Sequence, residues 1–371
     1  MPATAAKVVQ MSSGEQTWGA TGVAVTKLHG ITDATLRVLD NVETVPSVGW
    51  YGPSPIALQV SQSGEYSLDM VATYEEMPRL LNGLFSAVGT ATGVSTGVSS
   101  GGTSGPYSFY WEAPVSAPST SHTYTFEYGA AGSTHVYRAP GSVIKHMNIK
   151  GEAGGLWNMT VDGFSQMIVA SSCGFSSGAS AELLADRTVN PIRMADTTLR
   201  LDGSTGNSTG SLVAWTTLAA TLISFELDVE SNRHPKLFAG QVYPGDWGDA
   251  AYTGSLKTTL EFNANAKTIV NQLLSTAGTV SNTTQQTVKK LIRLRNVQGS
   301  SMGTKSAILD FSGVLVDGAE LFGDRDGNMT VDLTFNGFFS TQLSQSLICT
   351  GMGGNGNWLL AQITKDSSTT T

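Results

Sequence analysis

Polar and apolar residues alternate in short runs along most of this chain. "TYTFEYG" (123–129), "LISFELDVE" (222–230), "KTTLEFN" (257–263) and "KLIRLRNV" (290–297) place apolar side chains at alternating positions. A period of two marks a strand with one buried face. Two stretches follow a helical period instead. Met77, Leu80, Leu81, Leu84 and Phe85 fall at i, i+3, i+4, i+7 and i+8, and Ala266, Ile269, Val270, Leu273 and Leu274 repeat that spacing. The pattern predicts two amphipathic helices of about three turns, over 75–88 and 264–276, each packing its stripe on a sheet. Pro78 suits a first helical turn, Asn263 an N-cap, and Gly89 and Gly278 the two stops.

The same words return later in the chain. "NMTVD" stands at Asn158–Asp162 and again at Asn328–Asp332, 170 residues on. "LNGLFSAVGT" (81–90) returns as "VNQLLSTAGT" (270–279), and "DATLRVLD" (33–40) as "DTTLRLDG" (196–203), at offsets of 189 and 163. Three blocks in one order predict a tandem duplication. The expected organisation is a first domain over 1–180, a second over 181–350, and a C-terminal arm over 351–371. The two domains are joined through 171–190. Each copy reads as an antiparallel β-sandwich or barrel with one flanking helix, so the fold class is mainly β. The first copy carries an insertion at about 91–121, rich in Gly, Ser, Thr and Pro, which predicts a long surface loop. Its Tyr107, Phe109, Tyr110 and Trp111 are aromatics that something must cover. The arm has an apolar hook at Trp358–Leu360.

Composition sharpens this picture. A chain of 371 residues suffices for two cores. Only 13% of residues are charged and 42 are Gly, against about a quarter charged in ordinary soluble proteins. A surface so poor in charge suits a protein covered by neighbours. The net charge is −8, and residues 1–180 hold 12 acidic against 7 basic side chains. No basic patch argues for tight binding to phosphates; an acidic wall would let DNA pass without sticking. Cys173 and Cys349 follow their NMTVD strands by similar distances and read as equivalent free thiols, too few for a disulfide framework or a zinc site. Neither a signal peptide nor a membrane span is expected.

Catalytic patterns fail on inspection. Gly-x-Ser-x-Gly occurs at 93, 97, 174 and 299, as chance allows in a Gly/Ser-rich chain, and no alternating α/β pattern supplies the strand–turn–helix that a nucleophile elbow needs. "GSSMGTKS" (299–306) breaks P-loop spacing and reads as a hairpin turn. His29, His122, His135, His146 and His234 form no HxH or HxxxH pair. "DRDGN" (324–328) lacks the EF-hand Gly and Glu, having Met329 and Phe335 there, and reads as an Asp-Gly turn. No catalytic, cofactor or metal residue is expected.

The order of strand, amphipathic helix, strands and closing "G…NMTV" strand resembles the tail tube proteins of long-tailed bacteriophages. "ISFELDVESNRHPKLFAGQVYPGDWGDAAYTGSLKTTLEF" (223–262) is especially similar to that family's central region, where a Gly-containing hairpin leads into a strand before the helix. The type VI secretion tube protein shares the fold but has one domain. The resemblance spans about 25–350. It implies a structural virion protein whose sheets join edge to edge around a DNA-sized channel, with a duplicated subunit giving three chains per pseudo-hexameric ring. It further implies stacked rings, a conduit for DNA ejection and assembly in the host cytoplasm. The implied partners are other copies, a tape measure protein, tail-end proteins and passing double-stranded DNA, with no membrane anchor and no cofactor. Asn158, Thr160 and Asp162, with Asn328, Thr330 and Asp332, share the polar face of the repeated strand and are candidates to line the lumen, although outer solvent is an equal alternative for that face. Tyr107, Phe109, Tyr110, Trp111 and Trp358 are candidate inter-ring contacts. The rival function is a receptor-binding or capsid-decorating β-sandwich virion protein. A carbohydrate-active enzyme, the third reading, would need paired carboxylates in a cleft, and no pairing stands out.

Overall fold

A computed structural model describes residues 7–12, 18–19, 24–45, 56–85, 107–113, 123–130, 135–170, 184, 186, 188–202, 215–218, 222–264, 266–267, 289–298, 305–316, 320–325, 327–338 and 359–365. The protein is mainly β and its strands pair antiparallel. The first half runs Lys7–Ser12 (β1), Ala24–Lys27 (β2), Ile31–Val45 (β3), Ile56–Val71 (β4), helix Met77–Leu84 (α1), Tyr107–Glu112 (β5), Tyr124–Ala130 (β6), Val136–Glu152 (β7), Trp157–Ser165 (β8) and Val169–Ala170 (β9). The second begins with Thr197–Asp202 (β10), Trp215–Leu218 (β11), Leu222–Glu230 (β12), His234–Lys236 (β13), Asp246–Gly248 (β14) and Thr253–Glu261 (β15). It ends with Lys289–Gln298 (β16), Lys305–Leu315 (β17), Glu320–Arg325 (β18), Asn328–Gly337 (β19) and Leu359–Lys365 (β20).

In the first half, β2–β1–β6–β7–β9 forms one sheet and β3–β4–β8–β7 another. β7 serves both. It pairs with β6 up to Ser142 and with β8 from Val143 onward. Gly141 sits at that corner with φ of 61°, and a Cβ there would come within 3.1 Å of the Gly19 backbone, so the turn requires glycine. The sheets face one another across a core. Tyr66 of β4 meets Phe126 of β6 at 4.8 Å between ring centroids, and Leu68, Met70, Met159 and Val161 pack with Val9 and Met11 in the same cluster.

The predicted stripe of α1 is buried: Met77, Leu80, Leu81 and Leu84 are inaccessible or nearly so, and burying each contributes about 1.5–3 kcal/mol. A Cβ on Gly83 would lie 2.6 Å from Ile144 and 2.7 Å from Tyr124, so glycine lets the helix lie against β6 and β7. Pro78 occupies the first turn as expected, but the helix ends earlier than the pattern suggested. Phe85, just beyond it, is still buried. Of the second helix, Ala264, Ala266 and Lys267 are described as helical. Asn263 does cap it, its side-chain oxygen accepting from the Ala266 N–H at 3.1 Å. Ile269, Val270, Leu273 and Leu274 lie outside the described residues, as do Cys173, Cys349 and all four Gly-x-Ser-x-Gly stretches.

The second half repeats the pairing scheme. β11–β10–β16–β17–β20 matches β2–β1–β6–β7–β9, and β12–β15–β19 matches β3–β4–β8, with β17 and β18 together in the place of β7. Both NMTVD strands, β8 and β19, are therefore equivalent. Each half also holds an ion pair across this ladder. Glu127 of β6 faces Arg138 of β7 at 2.8 Å, and in the second half Arg293 of β16 grips Asp310 of β17 with two bonds of 2.6 Å. The signs are exchanged between the halves.

Three expectations need correction. "DATLRVLD" lies in β3 and "DTTLRLDG" begins β10, and these strands hold different places in the scheme; the partner of β3 is β12. That match reflects the alternation any half-buried strand shares. The C-terminal arm contributes β20, which pairs with β17 on one side and β5 on the other. The inserted segment thus also supplies a strand, β5. Phe109 and Trp111 are 3% and 5% exposed and stack at 6.2 Å, so this chain's own fold covers them. The side chains of Tyr107 and Tyr110, and Trp358 altogether, lie outside the described residues. Between β18 and β19 Gly327 has φ of 80° and its N–H is bonded to Asp324 Oδ1 at 2.9 Å, as a turn there requires.

Candidate functional site: a polar sheet face and its open edges

The two halves join strand to strand. The C-terminal part of β7, already paired with β8, pairs on its other side with β12, from Ser224↔Glu152 to Glu230↔His146. One sheet therefore runs β3–β4–β8–β7–β12–β15–β19–β18. Its apolar face is core, including Phe225, Leu227 and Val229 of β12, each 2% exposed. Trp157 seals this joint, packed edge-on against Phe225 at 4.9 Å with its indole N–H on Thr197 Oγ1 at 2.9 Å.

The opposite face is polar and rich in acid. Cross-strand registers place Asp33, Glu65, Asp69 and Asp162 on it in the first half, with Arg37 and Lys150. In the second half Glu226, Asp228, Glu230, Glu261 and Asp332 share it with Lys257. Asn158, Thr160, Asp162, Thr330 and Asp332 of the predicted residues lie on this face, but their settings differ. Asn158 and Asp332 are exposed, whereas Thr330 is buried. Thr160 donates to Asp69 at 2.6 Å. Only the backbone of Asn328 is described.

Asp162 is not a bare carboxylate. His146 of β7 stands between it and Asp228, with Nδ1 and Nε2 each 2.9 Å from one carboxylate. Two such partners favour the imidazolium, so the His146 pKa rises from an ordinary 6.5 to about 10, through the Asp162 bond first and the Asp228 bond second. Burial pulls Asp162 upward, but hydrogen bonds from His146 and Ser67 outweigh it and leave the group below the usual carboxylate range. Asp228 is lowered chiefly by the His146 bond. The clasp ties the first half to the second across the joint. Because the folded pKa of His146 is raised, its stabilisation is complete below about pH 6.5 and lost as pH rises through about 10. His146→Gln should therefore remove part of the decline in stability across that window. Urea unfolding of both proteins at several pH values checks this, and parallel curves would refute it.

Arg233, just past β12, is the second device at the joint. Its buried guanidinium donates to the carbonyls of Gly83 at 2.7 Å and Ile144 at 3.2 Å and to Tyr252 Oη at 2.7 Å. It also reaches Asp249 at 3.3 Å and lies over the Trp247 ring at 5.0 Å. Gly83 is in the last turn of α1, where a cation complements the helix dipole. Neither His146 nor Arg233 was singled out by sequence. "IKHMNIK" did carry a signal: a histidine at a polar position of an alternating strand.

The outer edges are β3 and β18, which have no further partner strand among the described residues. In the repeated scheme β3 corresponds to β12, and β18 to the joining part of β7. The edges left open are thus the same kinds of edge that meet inside the chain. Burial differs accordingly. Leu227 is 2% exposed, while Val38, its counterpart on β3, is 45% exposed. Beside that edge an apolar groove of about 490 Å³ is lined by Val9, Leu36, Val38, Tyr128, Tyr137 and Ile168 among others. Among the described residues no cluster of His, Cys, Asp and Glu could hold a metal, and no helix is long and apolar enough to cross a membrane. No protein-family model matches the chain, and no curated protein matches it.

Proposed function

We propose that this chain is a structural tube protein, polymerising through its sheet edges into rings that stack as the tail tube of a bacteriophage, with DNA passage as its function and no catalysis. One observation carries the reading: the β7–β12 joint pairs the same two kinds of edge that stand open at β18 and β3. Repeating that joint between chains consumes both outer edges of this eight-stranded sheet, which is how a sheet avoids indiscriminate pairing. A head-to-tail joint of this kind closes into a ring when its rotation divides the circle, and three duplicated chains give six near-equivalent units. The acid-rich face then lines the channel. Fixed negative charge acts within about 8–10 Å at physiological salt, and a wall without clustered Lys and Arg offers DNA little counterion-release affinity. A tape measure protein and tail-end proteins would be the further partners, with assembly in the host cytoplasm and the virion tail as destination.

Negative-stain microscopy of the purified protein is the test. Tubes or rings with three chains per turn are expected. A monodisperse particle that instead binds capsids or host surfaces would replace this reading with the decorating or receptor-binding one. Within tubes, Asp332→Lys with Glu261→Lys should leave assembly intact and slow DNA release from reconstituted tails. These positions suit the test because Asp162 is committed to the His146 clasp. Unchanged release would show that the face does not look inward.

A further inference from the structure

β3 and β4 outrun the sheet they belong to. β4 pairs with β8 only from Gly64 onward, so residues 41–45 and 56–61 stand beyond it as a two-stranded ribbon. Val42, Val45, Ile56, Leu58 and Val60 on this ribbon are 53%, 40%, 45%, 56% and 44% exposed. An isolated two-stranded ribbon is marginal in water, and a run of exposed apolar residues marks a surface that something covers.

The second half contains the counterpart and shows what it does. The connection between β12 and β15 turns at Asn232, whose φ is 52° and whose side chain bonds the Ala251 carbonyl at 2.7 Å. It then lies over the first half. The Val242 carbonyl accepts from the Gln62 N–H at 2.8 Å, and the Pro244 carbonyl accepts from Trp18 at 3.0 Å and from Gln166 at 3.2 Å. Two of these receiving positions can be carried to the second half through the ladders. Leu68 faces Val161 as Leu260 faces Val331, so Gln62 corresponds to Gly254 and Gln166 to Asn336. Gly254 and Asn336 line one groove of about 400 Å³, together with Asp228, Tyr252, Thr253, Ser255 and Gly337. The landing site that is roofed in the first half is open in the second.

We propose that the ribbon of residues 41–45 and 56–61 of one copy of this chain docks over the Gly254–Asn336 groove of another. The occupant is a second copy because the chain already makes this contact with itself, and because the exposed aliphatic ribbon and the open groove are the remaining counterparts of it. The ribbon lies at the β3 edge and the groove towards the β18 edge, so both come to the same intermolecular joint. The inference rests on the edge-to-edge reading and adds a strap across it. It also gives that joint a different chemistry from the internal one. The internal strap is anchored by a buried arginine, whereas the ribbon presents the aliphatic side chains of Val42, Leu58 and Val60.

Two variants test the strap from its two sides. Leu58→Thr with Val60→Thr removes apolar surface while keeping strand propensity, and Asn336→Trp fills the groove. Both sites are exposed, so the monomers should keep the wild-type circular dichroism and melting temperature. Assembly is read by sedimentation velocity and microscopy against protein concentration. Each variant should need about tenfold more protein than wild type to assemble, or more. If wild type assembles and either variant does so at the wild-type concentration, the strap is wrong and the edge joint stands. Should wild type itself form no rings or tubes, both proposals fall together.

Discussion

Asp310→Ala should destabilise the protein by about 3–5 kcal/mol, because it strips a buried arginine of its counter-ion. Asp310 is fully buried and holds Arg293 through both carboxylate oxygens at 2.6 Å. Arg200 lies directly opposite Arg293 on β10, so the vacated site would leave two guanidinium groups facing one another across the ladder. Urea unfolding followed by circular dichroism measures the loss. Replacing both partners, Arg293→Met with Asp310→Leu, should recover most of it, since an apolar pair of similar volume avoids the desolvation cost. A double variant as unstable as the single one would show that the pair does more than neutralise itself.

Arg233→Met should uncouple the two halves. The wild-type side chain supplies donors to two backbone carbonyls and a phenol from a buried position. Charge-assisted bonds of this kind are worth about 1.5–3 kcal/mol each, and their acceptors would be left buried without them. Scanning calorimetry should then resolve two transitions where wild type gives one, the first at lower temperature. Arg233→Lys should rescue little, because a single ammonium cannot span Gly83, Ile144 and Tyr252 as a planar fork does. A single unshifted transition in Arg233→Met would place the coupling in the β7–β12 ladder alone.

How much of this was legible beforehand depended on whether a pattern was local. Alternation found β6, β12, β15 and β16, and the i, i+3, i+4 spacing found α1, because each depends on neighbours within a few residues. NMTVD identified β8 and β19 as equivalent because the word carries a polar face and an apolar one in fixed order. "DATLRVLD" misled because its alternation says which face is buried but not which strand lies alongside. The pairing of β20 with β5 joins residues about 250 apart, a relation no window of sequence contains. Arg233 and His146 were missed for the same reason: their partners come from other strands and from a helix end.

The exchanged signs of the two buried ion pairs bear on how a chain with two copies of one scheme avoids confusing them. A growing chain completes its first half before its second exists, but any later opening lets β6 meet β17, or β16 meet β7. The native ladders set Glu127 against Arg138 and Arg293 against Asp310. Crossed pairing in the register that brings these sites together would set Glu127 against Asp310 and Arg293 against Arg138, two like-charged contacts driven out of water. Burial makes each contact far costlier than it would be at the surface. In that register the inversion is a polarity key: each strand favours its own half's partner over its double.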